Sequence, residues 1–472
     1  MSARDDRRPT GKKSAATARD AAQDAAAQES LREVYGHIMA RAPEHDIDPT
    51  LDRVRRVLEL LGDPQRSFRV VHLTGTNGKS STARMVERLV REHGLRTGLF
   101  TSPHLTSVTE RIQVDGEPLS ARRFVEVWED VAPYVGVVDG ESQEAGGPRL
   151  SFFEVLTVMA LAAFADAPVD VAVVEVGLGG TWDSTNVVDG DVAVITPVAH
   201  DHERWLGSTL EEIAGNKAGI VKDGATVVVA EQEPEVLEVV LDRARQVGAR
   251  VLREGVDLEV AQRHVAVGGQ LLDLRTPVAL YTEIFLPLHG AHQAHNALLG
   301  LTAVETLMGG RSLDGALVET AFADVTSPGR LEVVRSSPAV LVDAAHNAAG
   351  AEALVAALDE AFDFRHLVGV VGIMGDKDAE SLLAALEPVL AEVVVTRNSS
   401  DRSADVTDLA ELAAEVFGED RVRSTERLDE ALQMAVDLAE AADPVGVGTG
   451  TGVLVTGSVV TVADARILLG RG

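Results

Sequence analysis

Residues 70–82 read VVHLTGTNGKSST, an apolar run followed by a glycine-rich turn and a lysine. The run predicts a buried strand, and apolar residues recur at helical spacing after it, as far as Gly94. A strand, a glycine turn and a helix start are the context of a phosphate cradle, because backbone N–H groups and the helix dipole converge there. Leu73 stands where a standard P-loop has its first glycine. The context and the Lys79–Ser80 pair favour a shortened nucleotide loop over an ordinary turn with a surface lysine.

Short runs rich in valine and isoleucine alternate with helical patterns along the rest of the chain. Because these runs are apolar on nearly every residue, they predict strands buried on both faces of a parallel sheet. One set lies at 69–74, 169–176, 191–198 and 225–230, and another at 339–345, 366–374, 392–397 and 452–458. Between the sets, the pattern of 250–290 predicts an antiparallel excursion, followed by a helix at 291–308. We predict an α/β protein with a P-loop parallel-sheet ATPase domain, followed by a smaller Rossmann-like α/β domain.

The predicted boundary between the two domains falls within 324–334, where DVTSPGRLEVV has the composition of a linker. The first domain is therefore predicted at 29–325 and the second at 326–472. Residues 1–28 mix Arg, Lys and Asp with a run of Ala and lack the apolar core of a signal peptide. We predict that they form a disordered N-terminal extension.

The composition limits the class of function. The chain has 472 residues and a net charge of −31, which argues against a general nucleic-acid or acidic-membrane binder, since Lys and Arg supply such surfaces. It has no cysteine, which excludes disulfides, thiolate catalysis and cysteine-bound zinc. No apolar run is long enough to span a membrane. The composition fits a reducing compartment, and we expect a cytoplasmic monomer.

Outside the loop, the positions of a few polar residues in the predicted strands and helices make them candidate functional residues. Glu175 closes a predicted buried strand, where a carboxylate is costly unless it is paired or metal-bound. Ser102 offers a hydroxyl at the end of a strand, although a serine before proline is more often a turn former. Taken alone, Lys217 is interpreted as a solvated helix residue and Asp343 as a helix cap.

An ordered set of motifs runs through nearly the whole chain beyond the first 28 residues. After GTNGK (75–79) come TSPHL (101–105), ERI (110–112), SFFE (151–154), EVGLGGTWDSTN (175–186), DHERWLG (201–207), NKAGIVK (216–222), HQAHNA (292–297), SPGRLE (327–332), DAAHN (343–347), GDKD (375–378) and VLVTGS (453–458). Together they resemble the ATP-dependent Mur-type ligases, and folylpolyglutamate synthases in particular. One such fragment is a weak signal, whereas the ordered set is specific.

The resemblance implies an ATP site and two magnesium sites. The residues assigned to ATP are Thr76, Asn77, Gly78, Lys79, Ser80, Asn296, Arg330 and Asp343. Ser102 and Glu175 are assigned to the first magnesium, and His202 and Lys217 to the second, with His200 as a rival of His202. A free lysine ammonium only donates hydrogen bonds and cannot ligate a cation, so the resemblance implies a carbamylated Lys217.

The resemblance also implies where the other substrates bind. The residues assigned to the pterin side are Asp48, Ser151, Phe152, Phe153, Glu154, Trp182, Asp183 and Ser184. Aromatic rings stack on a flat heterocycle and carboxylates accept from its N–H groups, although both Phe side chains have plain core packing as an alternative. His346 is assigned to the incoming glutamate, with a structural histidine as the alternative. The predicted catalytic set is Lys79, Glu175, His202, Lys217, Arg330 and His346.

The chain departs from the family pattern at three positions. Thr181 stands where the family usually has arginine, Ser80 where it often has glycine, and Ala348 where proline commonly follows the asparagine. None of these changes removes a metal or phosphate ligand. The substrate contacts near Thr181 stay open.

The implied activity is an ATP- and Mg²⁺-dependent amide ligation that joins L-glutamate to dihydropteroate and to reduced folates through an acyl phosphate. The first domain would bind ATP and the pterin, and the second would be the glutamate-ligase domain. The alternatives are a folylpolyglutamate synthase that acts on folates only, a Mur-type peptidoglycan ligase, and a P-loop ATPase without ligase activity. The SFFE and TSPHL motifs disfavour the peptidoglycan ligase, and the predicted metal ligands disfavour the simple ATPase.

Overall fold

The computed structural model describes residues 11–43, 48–443 and 450–471, and of residues 11–22 it describes the backbone alone. The strands are β1 (Arg69–Thr74), β2 (Thr97–Phe100), β3 (Ile112–Val114), β4 (Glu117–Pro118), β5 (Val171–Glu175), β6 (Val192–Ile195), β7 (Thr226–Val229), β8 (Arg250–Arg253), β9 (Glu259–Ala266), β10 (Gly269–Arg275), β11 (Leu280–Leu286), β12 (Glu332–Ser336), β13 (Ala339–Val342), β14 (His366–Val371), β15 (Glu392–Val395), β16 (Val422–Ser424) and β17 (Thr451–Thr456).

The α-helices lie between these strands and at both ends of the described chain. They are α1 (Gly11–Met39), α2 (Asp52–Leu60), α3 (Lys79–Glu92), α4 (Ala121–Glu144), α5 (Phe152–Asp166), α6 (Glu203–Leu206), α7 (Leu210–Lys217), α8 (Pro234–Gln246), α9 (Ala291–Leu307), α10 (Gly315–Ala323), α11 (Ala348–Ala361), α12 (Ala379–Leu386), α13 (Val406–Phe417), α14 (Leu428–Ala441) and α15 (Val459–Leu468). None of the helices in the described ranges is long and apolar enough to cross a membrane.

The first sheet has eight strands in the order β4-β3-β2-β5-β1-β6-β7-β8, and β1 lies at its centre. The strands from β2 to β8 in this order are parallel, while β3 and β4 add an antiparallel edge. Val71 and Leu73 pack under α3, α9 and α10, whereas Val70 belongs to the core formed with α1, α2, α4 and α5. Helices thus cover both faces, which explains why the strands are apolar on nearly every residue.

The predicted antiparallel excursion is confirmed as a three-stranded sheet in the order β11-β10-β9. It packs beside α9 and α10. The strand at the start of the predicted segment differs, because β8 pairs in parallel with β7 and belongs to the first sheet.

The second sheet has six strands in the order β12-β13-β17-β14-β15-β16, all parallel except β12. Helices α11, α12 and α13 cover one face, and α14 and α15 cover the other. Two largely parallel sheets, each sandwiched between helices, confirm the predicted α/β class with its P-loop and Rossmann-like parts.

The N-terminal segment differs from the prediction of a disordered extension at 1–28. Residues 11–28 belong to helix α1, and the Ala-rich composition of this segment explains the helix, since Ala has the highest helix propensity. Residues 1–10 lie outside the described residues. The predicted boundary at 325/326 falls in the connection between α10 and β12.

Candidate active site

The loop between β1 and α3 is held so closely that its glycines leave no room for a side chain. Gly75 has φ +146°, and a Cβ there would lie 1.9 Å from Thr196 Oγ1. Gly78 has φ +88°, and a Cβ there would lie 2.5 Å from Asn296 Oδ1. Both φ values suit glycine alone. The loop therefore presents bare backbone at the carboxyl end of the central strand, where open α/β sheets bind ligands.

Lys79 begins α3 and lies above this loop. Its Nζ donates to the carbonyl oxygens of Gly75 and Thr76, both at 3.0 Å. Burial lowers the pKa of Lys79, while the nearby carboxylate of Glu175 opposes that shift. Thr76 is anchored through its hydroxyl, which donates to the carbonyl oxygen of Ala199 at 3.0 Å. The loop, its lysine and the segment after β6 thus form one packed unit.

Glu175 ends β5 beside the loop and is only 1% exposed. The Ser80 hydroxyl donates to its Oε1 at 2.8 Å, and the backbone N–H of Ser102 donates to its Oε2 at 3.3 Å. Burial raises the pKa of Glu175. Three segments far apart in sequence therefore converge on one buried carboxylate.

Lys217 lies at the end of α7 and is 4% exposed, so its interpretation as a solvated helix residue is wrong. Its Nζ donates to the carbonyl oxygen of Gly75 at 2.7 Å, the same oxygen that Lys79 contacts. Burial and the positive charge of Lys79 lower the pKa of Lys217 to about 7. The amine is therefore held under the nucleotide loop, with much of it uncharged near neutral pH.

His202 lies in the loop after β6 with φ 52° and ψ 35°, in the left-handed region. Its side chain is 38% exposed, and partial burial lowers its pKa to about 4, so the ring is neutral at physiological pH. Its rival His200 is more exposed, at 55%, and faces Glu203 at 3.0 Å. No hydrogen bond between described residues joins His202 to Lys217, and the described chain has no group of three or more His, Asp and Glu that could hold a metal.

Asp201 connects the two halves of the chain. Its carboxylate lies 2.5 Å from Lys377 Nζ, 3.6 Å from His346 Nε2 and 3.4 Å from Asn347 Nδ2. Burial alone would raise the pKa of Asp201, but the contact with His346 and the positive charges around the carboxylate hold that pKa well below its usual value. Asn347 also exchanges two hydrogen bonds of 3.2 Å with Asn77 of the nucleotide loop.

The remaining nucleotide residues lie on both sides of the connection between the sheets. Asn296 is buried on α9 against Gly78, and its Nδ2 donates to Gln293 Oε1 at 3.1 Å. Asp343 follows β13 and accepts from the backbone N–H groups of Leu331 and Ala345, both at 2.8 Å. Burial raises its pKa, and the charge of Arg330 in the connection partly offsets that shift.

The helix-cap interpretation of Asp343 is wrong. The N-cap of α11 is Asn347, whose Oδ1 accepts from the backbone N–H of Gly350 at 2.8 Å. His346 lies between them, with Nδ1 2.9 Å from the carbonyl oxygen of Ala344. That contact leaves its Nε2 facing Asp201.

The SFFE motif begins α5 as a reciprocal capping box. The Glu154 backbone N–H donates to Ser151 Oγ at 3.3 Å, and the Ser151 backbone N–H donates to Glu154 Oε2 at 2.7 Å. Glu154 also pairs with Arg53 at 3.1 Å, and Arg53 pairs with Asp48 at 2.6 Å. The structure therefore brings Asp48 to the SFFE motif through one buried arginine. The S-x-x-E spacing was the sequence signal for the cap.

The two phenylalanines of this motif are buried, at 3% exposure for Phe152 and 8% for Phe153. Phe152 contacts Tyr35 edge to face, with ring centroids 6.2 Å apart. Phe153 stacks on Phe100 at 5.6 Å. Gly177 connects the second ring to the next motif, because a Cβ there would lie 2.5 Å from the Phe153 ring and 3.2 Å from Asp183 Oδ2.

The residues of the TWDS segment have different surroundings. Trp182 is half-buried on the apolar cluster formed by β6, β7, α7 and α8. Asp183 is 4% exposed, and its Oδ2 accepts from the Leu178 backbone N–H at 2.9 Å. Ser184 Oγ lies 2.6 Å from Thr157 Oγ1. Thr181, which departs from the family pattern, is exposed and donates to the carbonyl oxygen of Asn216 at 2.9 Å.

The sequence patterns did not single out four members of this region: Asp201, Asn347, Lys377 and Arg53. Three of them lie in the motifs DHERWLG, DAAHN and GDKD, so the signal was present. Each has a common surface or capping role by default, and only their mutual contacts distinguish them.

Two family models match the chain: the Mur ligase middle domain at residues 73–304, and the Mur ligase glutamate ligase domain at residues 329–459. The dihydrofolate synthase/folylpolyglutamate synthase of Mycobacterium tuberculosis is 51% identical over 94% of each chain. A crystal structure of the M. tuberculosis folylpolyglutamate synthase complexed with ADP and AMPPCP has a TM-score of 0.90 at 50% identity, covering 94% of this chain and 99% of that one.

An Escherichia coli protein in complex with DHPP and ADP matches with a TM-score of 0.79 at 30% identity, over 93% of this chain and 97% of that one. These matches cover more than nine-tenths of the chain, including both sheets. The chain therefore belongs to the Mur ligase family of ATP-dependent ligases, in its dihydrofolate synthase/folylpolyglutamate synthase group.

Proposed function

We propose that this chain is a bifunctional enzyme that adds L-glutamate to dihydropteroate and to reduced folates at the expense of ATP. The acceptor carboxylate attacks the γ-phosphate of ATP, which releases ADP and forms an acyl phosphate. The glutamate amine then attacks the acyl carbon, which releases phosphate and forms the amide. Neither step needs a covalent enzyme nucleophile, so catalysis depends on position and on charge stabilisation.

One observation carries this proposal: a buried carboxylate, the buried Lys217 and the half-buried Lys79 converge at the nucleotide loop, next to a polar network from the second sheet. Lys79 and Lys217 share the carbonyl oxygen of Gly75, and Glu175 lies beside them. Asp201 connects this cluster to His346 and Lys377 beyond the linker. A ligase needs such a junction, because it must bring a phosphorylated acceptor and an amine together in a dry site.

We assign the two halves of the reaction to the two sheets. Residues 29–325 would bind ATP and the pterin, and residues 326–472 would bring in glutamate. Thr76, Asn77, Gly78, Lys79 and Ser80 would hold the phosphates, and Asn296 would read the adenine. Arg330 and Asp343 would complete the nucleotide site from the linker and from β13.

The residues around Glu175 suit a magnesium ion. Mg²⁺ prefers oxygen ligands and is usually held by one or two carboxylates together with substrate phosphates. Glu175, Ser80 and Ser102 offer such oxygens, and the buried carboxylate lacks a cationic hydrogen-bond partner among the described residues. When bound, the ion would neutralise charge on the phosphates.

A second magnesium site would need Lys217 as a carbamate. Its burial and its pKa of about 7 support that modification, because only the neutral amine reacts with carbon dioxide. His202, with a pKa of about 4, has the neutral ring that metal ligation requires.

We place the acceptor along Asp48, Ser151–Glu154 and Trp182–Ser184. Asp183 and Glu154 would accept hydrogen bonds from the heterocycle, and Trp182, which is half-buried, is the aromatic ring best placed for contact. His346 would help to hold the incoming glutamate. Since one chain supplies every part of the site, we expect a monomer, active in the cytoplasm where ATP is available.

ADP release tests the proposal when it is measured with glutamate and with either dihydropteroate or tetrahydrofolate. We expect ADP only when an acceptor and glutamate are both present, together with a product heavier by one glutamate residue. If tetrahydrofolate is glutamylated and dihydropteroate is not, the enzyme is a folylpolyglutamate synthase only. ADP release indifferent to glutamate would refute the ligase proposal, and turnover with a UDP-sugar peptide substrate would favour a peptidoglycan ligase.

A further inference from the structure

His72 lies in the middle of the central strand β1 and is completely buried. Its Nε2 lies 3.0 Å from Thr185 Oγ1, whereas its Nδ1 has no hydrogen-bond partner among the described residues. A buried histidine in the central strand of a parallel sheet replaces an apolar side chain, so its one polar contact needs an explanation.

The hydrogen bonds of Thr185 determine which atom carries the proton between Thr185 and His72. Its hydroxyl donates to Asp183 Oδ1 through a short contact, and its backbone N–H donates to the same oxygen at 3.0 Å. A hydroxyl has only one proton. Because that proton is used on Asp183, the hydroxyl oxygen can only accept from His72. His72 therefore carries its proton on Nε2, and Nδ1 is a bare lone pair.

The alternative, in which Thr185 donates to His72, has a higher free energy. It would require a protonated Asp183 that donates to Thr185, and a His72 protonated on Nδ1. That N–H would be buried without an acceptor, and orphaned buried N–H groups are rarer than orphaned acceptors. Burial lowers the pKa of His72 to about 3, and the positive charge of Lys222 acts in the same direction, so the ring is neutral.

The far end of this relay borders the proposed acceptor site. Oδ1 of the Asp183 carboxylate accepts twice from Thr185, and Oδ2 accepts from the Leu178 backbone N–H. The backbone N–H of Gly177 also acts on this carboxylate, whose Oδ2 lies near Gly177 and the Phe153 ring. The carboxylate is therefore held from both oxygens at the edge of the proposed acceptor site.

We propose that His72 is a positioning residue for the acceptor: through Thr185 it holds Oδ1 of Asp183 and so fixes the orientation of this carboxylate beside the substrate heterocycle. The inference rests on the proposed function, because it takes Asp183 as an acceptor-binding residue. It assigns a role to a buried side chain that does not itself touch the substrate.

Substitutions that preserve or remove single hydrogen bonds test the relay. In His72→Gln the side-chain amide places an N–H donor near the Nε2 position, whereas the amide of His72→Asn is too short to reach Thr185. Thr185→Val removes the hydroxyl and keeps the shape. We expect His72→Asn and Thr185→Val each to raise KM for dihydropteroate about tenfold, the equivalent of one buried hydrogen bond. KM for ATP should stay within about twofold, and His72→Gln should behave as the parent does.

Thr97→Val is the matched control, because Thr97 is also a buried strand threonine whose hydroxyl donates to a carboxylate, that of Glu87 at 2.6 Å. It should leave KM for dihydropteroate unchanged. The decisive comparison repeats His72→Asn and Thr185→Val in an Asp183→Asn background, where neither should raise KM further. A merely structural histidine would instead give additive losses, and an equal rise in KM for ATP would also overturn the inference.

The tautomer provides a readout independent of turnover. ¹⁵N NMR of the imidazole should show His72 protonated on Nε2, and protonation on Nδ1 would overturn the relay. If the parent protein ligates no glutamate, the proposed function fails, and the same comparison of variants can be made on the Kd for dihydropteroate. If ligation proceeds and the effects of the variants are additive, the inference alone fails.

Discussion

Lys217 provides the sharpest prediction, because its buried amine is expected to react with carbon dioxide. The reaction joins the neutral amine to CO₂ and releases one proton, which leaves a carbamate with a negative charge. An ordinary lysine has a pKa of about 10.4, whereas Lys217 is held at about 7 by burial and by the positive charge of Lys79. The carbamate should therefore form at pH values where surface lysines stay protonated.

The size of the effect follows from the two pKa values. At pH 7 about half of Lys217 would be neutral, compared with roughly 0.04% of an ordinary lysine. The neutral, reactive amine is therefore about a thousandfold more abundant at Lys217. The sign is that of a lowered lysine pKa, so the neutral fraction, and with it the carbamate, grows as pH rises through about 7. Acidification below that value should release the carbon dioxide.

The assay equilibrates the protein with ¹³C-labelled bicarbonate at pH 8 and follows the carbamate carbon by ¹³C NMR, without metal or nucleotide. One labelled carbon should be incorporated in the parent and none in Lys217→Ala. Lys222→Ala is the control, since Lys222 is a nearby half-buried lysine that donates to the carbonyl oxygen of Asn186 at 3.0 Å. It should retain the label. Ligase activity should fall in Lys217→Ala, and a short-chain carboxylic acid should restore part of it.

Two results would refute this reasoning. Label in Lys217→Ala at the level of the parent would place the carbamate elsewhere. A parent that takes up no label while its activity is independent of bicarbonate would show that Lys217 acts as a plain amine. In that case the role of Lys217 would be to hold the nucleotide loop through its hydrogen bond to the carbonyl oxygen of Gly75.

The remaining predictions concern the loop, the interface and the N-terminus. Lys79→Ala and Glu175→Ala should each lower ligation by at least about 10²–10³ with an unchanged melting temperature, since each removes charge stabilisation from the phosphates; activity within a few-fold of the parent would contradict the site. Lys377→Met should lower the free energy of unfolding by about 3 kcal/mol, because it leaves Asp201 buried without its closest cation; a change in denaturant midpoint within error would contradict this. Deletion of residues 1–28 should leave activity and melting temperature nearly unchanged, since none of residues 23–28 is buried, and a large drop on differential scanning calorimetry would show that the segment is docked.

Local patterns of the sequence predicted most of the buried parallel strands, because a strand buried on both faces is visible as a run of consecutive apolar residues. The run at 69–74 is β1 in full, and the run at 169–176 contains β5 with Glu175 at its end. Two-sided burial makes such strands continuous apolar runs, so the parallel sheets could be inferred without a template. The edge strands β3, β4, β12 and β16 were not predicted, since they are short and most of them are largely exposed.

The sequence by itself determined where the nucleotide loop lies and which residues carry charge near it. Only the tertiary structure decided what those charges meet. Lys217 has the local pattern of a surface helix residue, yet it lies 2.7 Å from a carbonyl oxygen 142 positions earlier in the chain. Asp201 forms an ion pair with Lys377, which lies 176 positions later in the chain. Burial and pairing are properties of such long-range contacts, and no local periodicity encodes them, so the shifted pKa values on which the chemistry depends become visible only once the chain is folded.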